Sequence, residues 1–320
     1  AAMGQSAACN AASCCADDPT ALSSVSFDPV KSSPAISAQS NEGGEAKHTS
    51  YFDRELPELM RLPPLAGGLR TPPAWRGKYT FETGAYYVGE WRGNARHGKG
   101  RQVWPDGAEY AGEWADNRAE GKGLFKHSDG DTYIGLWRGN VAHAFGIYTD
   151  KDGTTYAGEW QGDLQEGYGV ETWAEGTRFE GTFRGGQKQG HGLYSWPDGS
   201  KYAGTWESNC INGKGEYLGS DGRWYKGQWR DSVIHGVGTF VWPSGKEYAG
   251  QYRFDKKDGF GCFSWPDGRR YQGHWSGGLQ HGGGRSLRKD GTWASAVWKS
   301  GTKVDQAGDR EPERAGRPGA

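Results

Sequence analysis

The sequence predicts an all-β fold, an elongated single-layer antiparallel meander of nine 23-residue hairpins with a partial capping unit at each end. Three observations carry this. An aromatic-x-Gly-x-aromatic unit begins at Tyr87, Tyr110, Tyr133, Tyr156, Phe179, Tyr202, Tyr225, Tyr248 and Tyr271, each 23 residues after the last. Gly-x-Gly follows eleven and thirteen residues after each start, from Gly98/Gly100 to Gly282/Gly284, and only Ala144/Gly146 departs from it. An Asp-Gly or close equivalent falls nineteen residues in, as at Asp106-Gly107 and Asp290-Gly291.

Each element follows from this phase. The alternation of ring, glycine and ring has period two, which makes the first segment a strand with one distinctive face and excludes a helix. Gly-x-Gly opens a second strand that often carries large rings farther on, as in Tyr194/Trp196 and Phe263/Trp265. Asp-Gly tolerates positive φ and joins one hairpin to the next. In the expected register, the second ring of a unit lies opposite the first glycine of Gly-x-Gly, so that an indole covers the glycine. With strands about 4.8 Å apart, nine hairpins reach on the order of 90 Å before twist. Residues 75–84 match the second half of a unit and WASAVW, residues 293–298, matches a shortened start; both read as caps.

Composition agrees with a ring-built core. Glycine numbers 55, the apolar set reaches only 34%, and aromatics supply 13% of the chain, including 16 tryptophans that all fall between Trp75 and Trp298. The chain divides into residues 1–74, mostly disordered, the array at 75–300, and a charged disordered tail at 301–320. A net charge of −1 gives no concentrated cationic footprint, which argues against nucleic acid. There is no apolar run of membrane-spanning length and no secretory signal, so a cytoplasmic protein is expected. Five cysteines fit neither a disulfide framework nor, for Cys210 and Cys262, a zinc site.

YVGEWRGNARHGKGRQVWPDG, residues 87–107, and the later YAGTW and WPDG segments resemble MORN repeats, the membrane occupation and recognition nexus motif, over about 225 of the 320 residues. The resemblance implies a rod-like single sheet and roles in scaffolding, membrane apposition, and cytoskeletal or ciliary assembly. Some members fuse the repeats to an enzyme domain, which is not expected among these residues. His97, His143, His235 and His281 recur at one place in separate units, the HGxG pattern of the family, and strand spacing keeps them too far apart to share a metal. No catalytic residue, metal or cofactor is assigned.

Two faces are left as binding surfaces. On the ring face, Trp91, Trp114, Trp137, Trp160, Phe183, Trp206, Trp229, Tyr252 and Trp275 are expected to line a groove for an amphipathic helix or another MORN rod. On the opposite face, parity places charges in the first two units (Glu90, Lys99, Arg101, Glu113, Lys122, Lys126). In the third and fourth it places Ile134, Leu136, Phe145, Ile147, Tyr168 and Val170, a contact site for a partner or for self-association. Residues 51–65 put Leu56, Leu59 and Leu62 on one stripe, with prolines limiting any helix to a turn or two; this segment is expected to dock on its own aromatic groove or to act as a short linear motif.

If translation starts at Met3, Gly4 resembles an N-myristoylation site, and Cys9, Cys14 and Cys15 are near enough for palmitoylation, the second signal that stable anchoring needs. The expected function is a non-catalytic scaffold holding protein partners at a membrane or membrane-associated cytoskeleton. One alternative is a structural subunit of a ciliary or axonemal assembly without a lipid anchor. Another is a phosphoinositide-binding accessory module using Lys99, Arg101, Lys122 and Lys126.

Overall fold

Every repeat folds as a seven-residue strand, a two-residue turn and a nine-residue strand. The computed structural model describes residues 50–63 and 72–304, which fall into a first unit ending at residue 232 and a second covering 233–304. In the first unit, strand β1 (Ala74–Thr80) is followed by β2 (Tyr86–Arg92) and β3 (Ala95–Val103), then β4 (Glu109–Ala115) and β5 (Arg118–Lys126). The pattern continues through β6 (Thr132–Arg138), β7 (Val141–Thr149), β8 (Thr155–Gln161), β9 (Leu164–Thr172) and β10 (Arg178–Arg184), and ends at β14 (Trp224–Arg230). The second unit runs from β15 (Val233–Val241) to β21 (Thr302–Val304). All observed pairings are antiparallel between sequence neighbours, so both units are meanders, as expected.

Two kinds of turn close the meander. In the hairpin turns from β4/β5 onward both central residues have positive φ, as at Asp116 (48°) and Asn117 (70°) or Gly139 (58°) and Asn140 (74°), the geometry whose twist matches paired strands. The second turn residue also locks its neighbour: Asn117 Oδ1 accepts from Arg96 N at 2.8 Å, Asn140 Oδ1 from Ala119 N at 2.7 Å, and Asp163 Oδ1 from Ala142 N at 2.6 Å. Between hairpins the Asp-Gly loop closes with Gly107 N donating to Trp104 O at 3.0 Å and Trp104 N to Ala108 O at 2.9 Å.

The expected ring-over-glycine register needs a correction. Within the first hairpin Gly89 pairs with Gly100 and Trp91 with Arg96, and a bulge lies between these pairs. Gly98 takes φ 70° in that bulge and lies opposite Trp114 of the following repeat, not opposite Trp91 of its own. The ring lying over the paired glycines is the tyrosine: a Cβ at Gly100 would overlap the Tyr87 phenol. Tyrosine has the reach to cross both glycines and still donate its hydroxyl to Glu90 O at 2.9 Å, satisfying a carbonyl freed by the bulge. The indole instead donates to the chain behind it, as from Trp114 Nε1 to Gly100 O at 3.1 Å.

Both ends depart from the expected boundaries. The partial unit at 75–84 is β1 and its turn, and WASAVW lies in β20 (Trp293–Lys299), as capping strands. Thr302–Val304, assigned to the tail, pairs with β20 as a further strand. Within 1–74, residues 50–63 are folded: a 3-10 turn at Tyr51–Asp53 leads into a short helix, α1 (Leu56–Arg61), with Pro57 in its first turn.

Candidate protein-binding surfaces

The ring face is built by one contact repeated. Tyr87 meets Trp91 edge-on at 5.1 Å and Trp114 at 5.5 Å; Tyr110 does the same with Trp114 and Trp137, and Tyr133 with Trp137 and Trp160. Edge-to-face pairs of this kind each add about 0.5–1.5 kcal/mol beyond burial. Trp91, Trp114, Trp137, Trp160, Phe183, Trp206, Trp229, Tyr252 and Trp275 are consequently buried, none more than 6% exposed. The reading of these nine rings as partner-contacting residues is corrected: they are consumed by packing on one another, and they form the core.

Over the first three repeats the chain covers this core with its own residues 50–63. Phe52 is fully buried and packs on Trp104, Tyr110, Trp114, Phe125 and Trp137 at centroid distances of 5.2 to 5.8 Å. Tyr51 lies against Trp104, Phe125 and His127 and donates to Asp106 at 2.8 Å. Ala119, paired with Trp114, and Ala142, paired with Trp137, are small where other repeats carry Arg96 or Lys188. That leaves room for a ring.

Polar bonds fix the segment in register. The buried Arg96 donates to Phe52 O at 3.0 Å, Asn117 O at 3.1 Å and Gln102 Oε1 at 3.2 Å, and lies 4.4 Å over the Trp114 ring. Burial lowers its guanidinium to about 10, which leaves it a cation at neutral pH. Glu55, also buried, accepts from Trp104 Nε1 and Thr83 Oγ1, both at 3.2 Å, and burial raises its carboxyl against the opposing pull of Arg96. Glu58 receives Tyr79 OH at 2.8 Å and Glu82 N at 2.7 Å, while Asn94 donates to Leu62 O and Pro63 O. Leu59 is buried and Leu56 and Leu62 half-buried, so the leucine stripe faces inward. The expected self-docking is what the structure shows.

The outer face keeps its apolar patch open. Ile134 is 56% exposed, Phe145 59%, Tyr168 50% and Ile147 43%, whereas Leu136 and Val170 are half-buried. Leu124, which the sequence reading passed over, joins them at 42%. Direct cross-strand pairing aligns one row: Arg101 (β3) to Ala111 (β4), Leu124 (β5), Ile134 (β6), Ile147 (β7), Ala157 (β8), Val170 (β9) and Glu180 (β10). Beside it, Lys122 pairs with Leu136, and Phe145 with Glu159. A shallow hollow of about 650 Å³ lies over Leu124, Ile134, Leu136, Phe145 and Ile147.

Three of the four cations proposed for a lipid headgroup have an acidic neighbour. Arg101 is bonded to Glu109 at 2.5 and 2.7 Å, Lys126 pairs across strands with Glu109, and Lys99 pairs with Glu113. Among the described residues no group of three or more His, Cys, Asp or Glu side chains is placed to hold a metal ion. Gly4, Cys9, Cys14 and Cys15 lie outside the described residues. No helix among those described is long and apolar enough to cross a membrane.

The MORN repeat model matches nine consecutive segments, 87–109, 110–132, 133–155, 156–178, 179–201, 202–222, 225–247, 248–269 and 271–293. No curated protein sequence matches. Among solved structures, the wild-type TCP10 domain of Danio rerio CPAP is 14% identical, with 63% of this chain and 96% of that one covered at a TM-score of 0.35. The Drosophila melanogaster SAS-4 (dCPAP) TCP domain in complex with a proline-rich motif of Ana2 (dSTIL) is 16% identical, with 58% and 96% covered at 0.31. Virginiamycin B lyase from Staphylococcus aureus, a catalytically inactive variant with quinupristin, is 14% identical, with 74% and 73% covered at 0.14. All three are distant likenesses, with TM-scores of 0.35 or less.

Proposed function

The chain belongs to the MORN repeat family, and we propose that it is a non-catalytic scaffold that makes its protein contacts through the outer face of β4 to β9 and is held at the cytosolic side of a membrane, or at a membrane-associated cytoskeleton, by acylation near Gly4. The observation that carries the protein-contact reading is the exposed apolar row. The ring face satisfies itself or is covered by residues 50–63, while Ile134, Phe145, Ile147 and Tyr168 remain open to solvent on β6, β7 and β9, with Ala157 of β8 between them in the row. Contiguous exposure of that kind marks an interaction surface more often than scattered apolar residues do. The interleaving of Arg101 and Lys126 with Glu109 favours protein over an anionic headgroup at this face.

A photo-crosslinking residue in place of Phe145 tests the surface in cells. Protein adducts that disappear when Ile147→Asp is added support it; no protein adduct, with the chain folded and abundant, refutes it. The anchor is tested separately by fatty-acid labelling and fractionation of protein translated from Met3, beside Gly4→Ala and a combined Cys9, Cys14 and Cys15→Ser variant. Membrane recovery lost in both variants supports a two-signal anchor. Unlabelled, soluble protein in all three removes the membrane from the reading and leaves the scaffold.

A further inference from the structure

We infer that the partner of the outer apolar row is a second copy of this chain, packed face to face about a two-fold axis that runs along the strands between β6 and β7. The inference rests on the reading of this face as a protein-contact surface and names its occupant.

The order of residues along the row carries it. Such an axis places each strand over the one equally far on the other side of the β6/β7 boundary. Ile134 then meets Ile147 of the second copy, Leu124 meets Ala157, and Ala111 meets Val170, so a large side chain faces a similar or a smaller one at each position. In the neighbouring row Leu136 meets Phe145. The ends complement in charge: Arg101 of β3 falls opposite Glu180 of β10, and Lys122 of β5 opposite Glu159 of β8. An isologous contact requires this self-complementarity, because every contact between residues i and j occurs twice.

The end charges keep capacity for a second partner. Arg101 uses Nε and one terminal nitrogen on Glu109, leaving other N–H donors, and its side chain is half exposed. Glu180 accepts from Arg178 and from Tyr168 OH through different oxygens, each with a further lone pair. From Arg101 to Glu180 the row crosses eight strands, about 34 Å at about 4.8 Å per strand, and two rows wide it covers about 500 Å² per copy. About 1,000 Å² in total is the lower bound for a specific interface, so the pair should be a weak, micromolar dimer.

Sedimentation velocity on the full chain between about 5 and 200 µM tests this, with retained circular dichroism as the check on folding. The wild type should pass from monomer to dimer, and Ile147→Asp should stay monomeric. Arg101→Glu and Glu180→Arg, each alone, place like charges face to face and should weaken association about tenfold. Mixed in equal amounts they complement each other at both ends, so the mixture should associate more tightly than either variant alone. A wild type that is monomeric throughout, or a mixture no tighter than its components, overturns the inference. If the wild type is monomeric and the Phe145 crosslinker captures another protein, the second copy is wrong and the contact surface survives; if nothing is captured, both fall.

Discussion

Phe52→Ala should release residues 50–63 from the ring face while leaving the sheet folded. The lost ring sits among five aromatic neighbours and is fully buried, and truncation at such a site costs about 3–5 kcal/mol through lost transfer energy and the void left behind. That cost falls on docking, because the strands are held by their own ladders and by Tyr–Trp contacts that do not involve Phe52. At the low end, about 3 kcal/mol, and with a factor of ten per 1.4 kcal/mol, the undocked population rises about 100-fold. Two readouts follow that population when opening and closing are fast. One is amide exchange at Leu59, whose N–H donates to Glu55 O at 3.1 Å; the other is tryptic cleavage after Arg54 and Arg61. Both should accelerate by about two orders of magnitude, with circular dichroism unchanged. Phe52→Leu, which keeps most of the volume, should shift them by about tenfold or less. Unchanged exchange and cleavage in Phe52→Ala would show that the ring does not hold the segment, and loss of the whole sheet would show that the segment is part of the core.

Three further outcomes follow from single side chains. Burial raises the Asp163 carboxyl from 3.8 to about 6, so its contribution is fully favourable below about pH 4 and is lost as pH rises through 6. Asp163→Asn keeps the acceptor for Ala142 N, as Asn117 and Asn140 do for their neighbours, and should stabilise the protein by about 2–3 kcal/mol at pH 7.5 but not at pH 4; an equal gain in thermal unfolding at both pH values would contradict this. Lys188 and Glu171 form a fully buried ion pair at 2.6 Å, so Lys188→Met should cost about 3–5 kcal/mol in urea unfolding by stranding the carboxylate. The double change Lys188→Ile with Glu171→Tyr copies Ile211 and Tyr194 of the next repeat and should recover most of the loss; no recovery would mean the pair is not the cause. Gly123→Ala drives a Cβ into the Tyr110 phenol and should destabilise by about 1–3 kcal/mol, whereas Gly77→Ala, with open space around it, should change thermal unfolding by less than about 0.5 kcal/mol.

The repeat phase made the fold legible because a 23-residue period without insertions fixes strand, turn and strand at once, and a period of two admits no helix. The register was half legible. Parity distinguishes the two faces, but a bulge moves the pairing partner of Trp114 onto Gly98 of the preceding repeat, and an unpaired extra residue leaves no trace in an alternation count. Its signal was Gly-x-Gly itself, which places the conformationally free residue at the bulge. The availability of the ring face was misread because sequence shows how many rings share a face, not that they turn edge-on and bury one another. Phe52 as the anchor was also missed, although Ala119 and Ala142 in two successive repeats marked the space it fills.

The outer row asks for an explanation that the fold does not provide. In the second unit the same five positions, paired strand to strand in the same way, are Thr239, Ala249, Cys262, Gln272 and Arg285, and the strands and bulges there form as they do in the first. Folding therefore does not require isoleucine or leucine at those positions. In an isolated chain Ile134 and Ile147 stay about half exposed and return only part of the roughly 1.5–3 kcal/mol that full burial of such a side chain is worth. An exposed strand face rich in such residues also carries an aggregation liability that a charged row would avoid. A row that is apolar for six strands, stops at an arginine on one side and a glutamate on the other, and pairs isoleucine with isoleucine at its centre and large with small beyond it is accounted for when that burial is completed by a surface with the same sequence read in reverse.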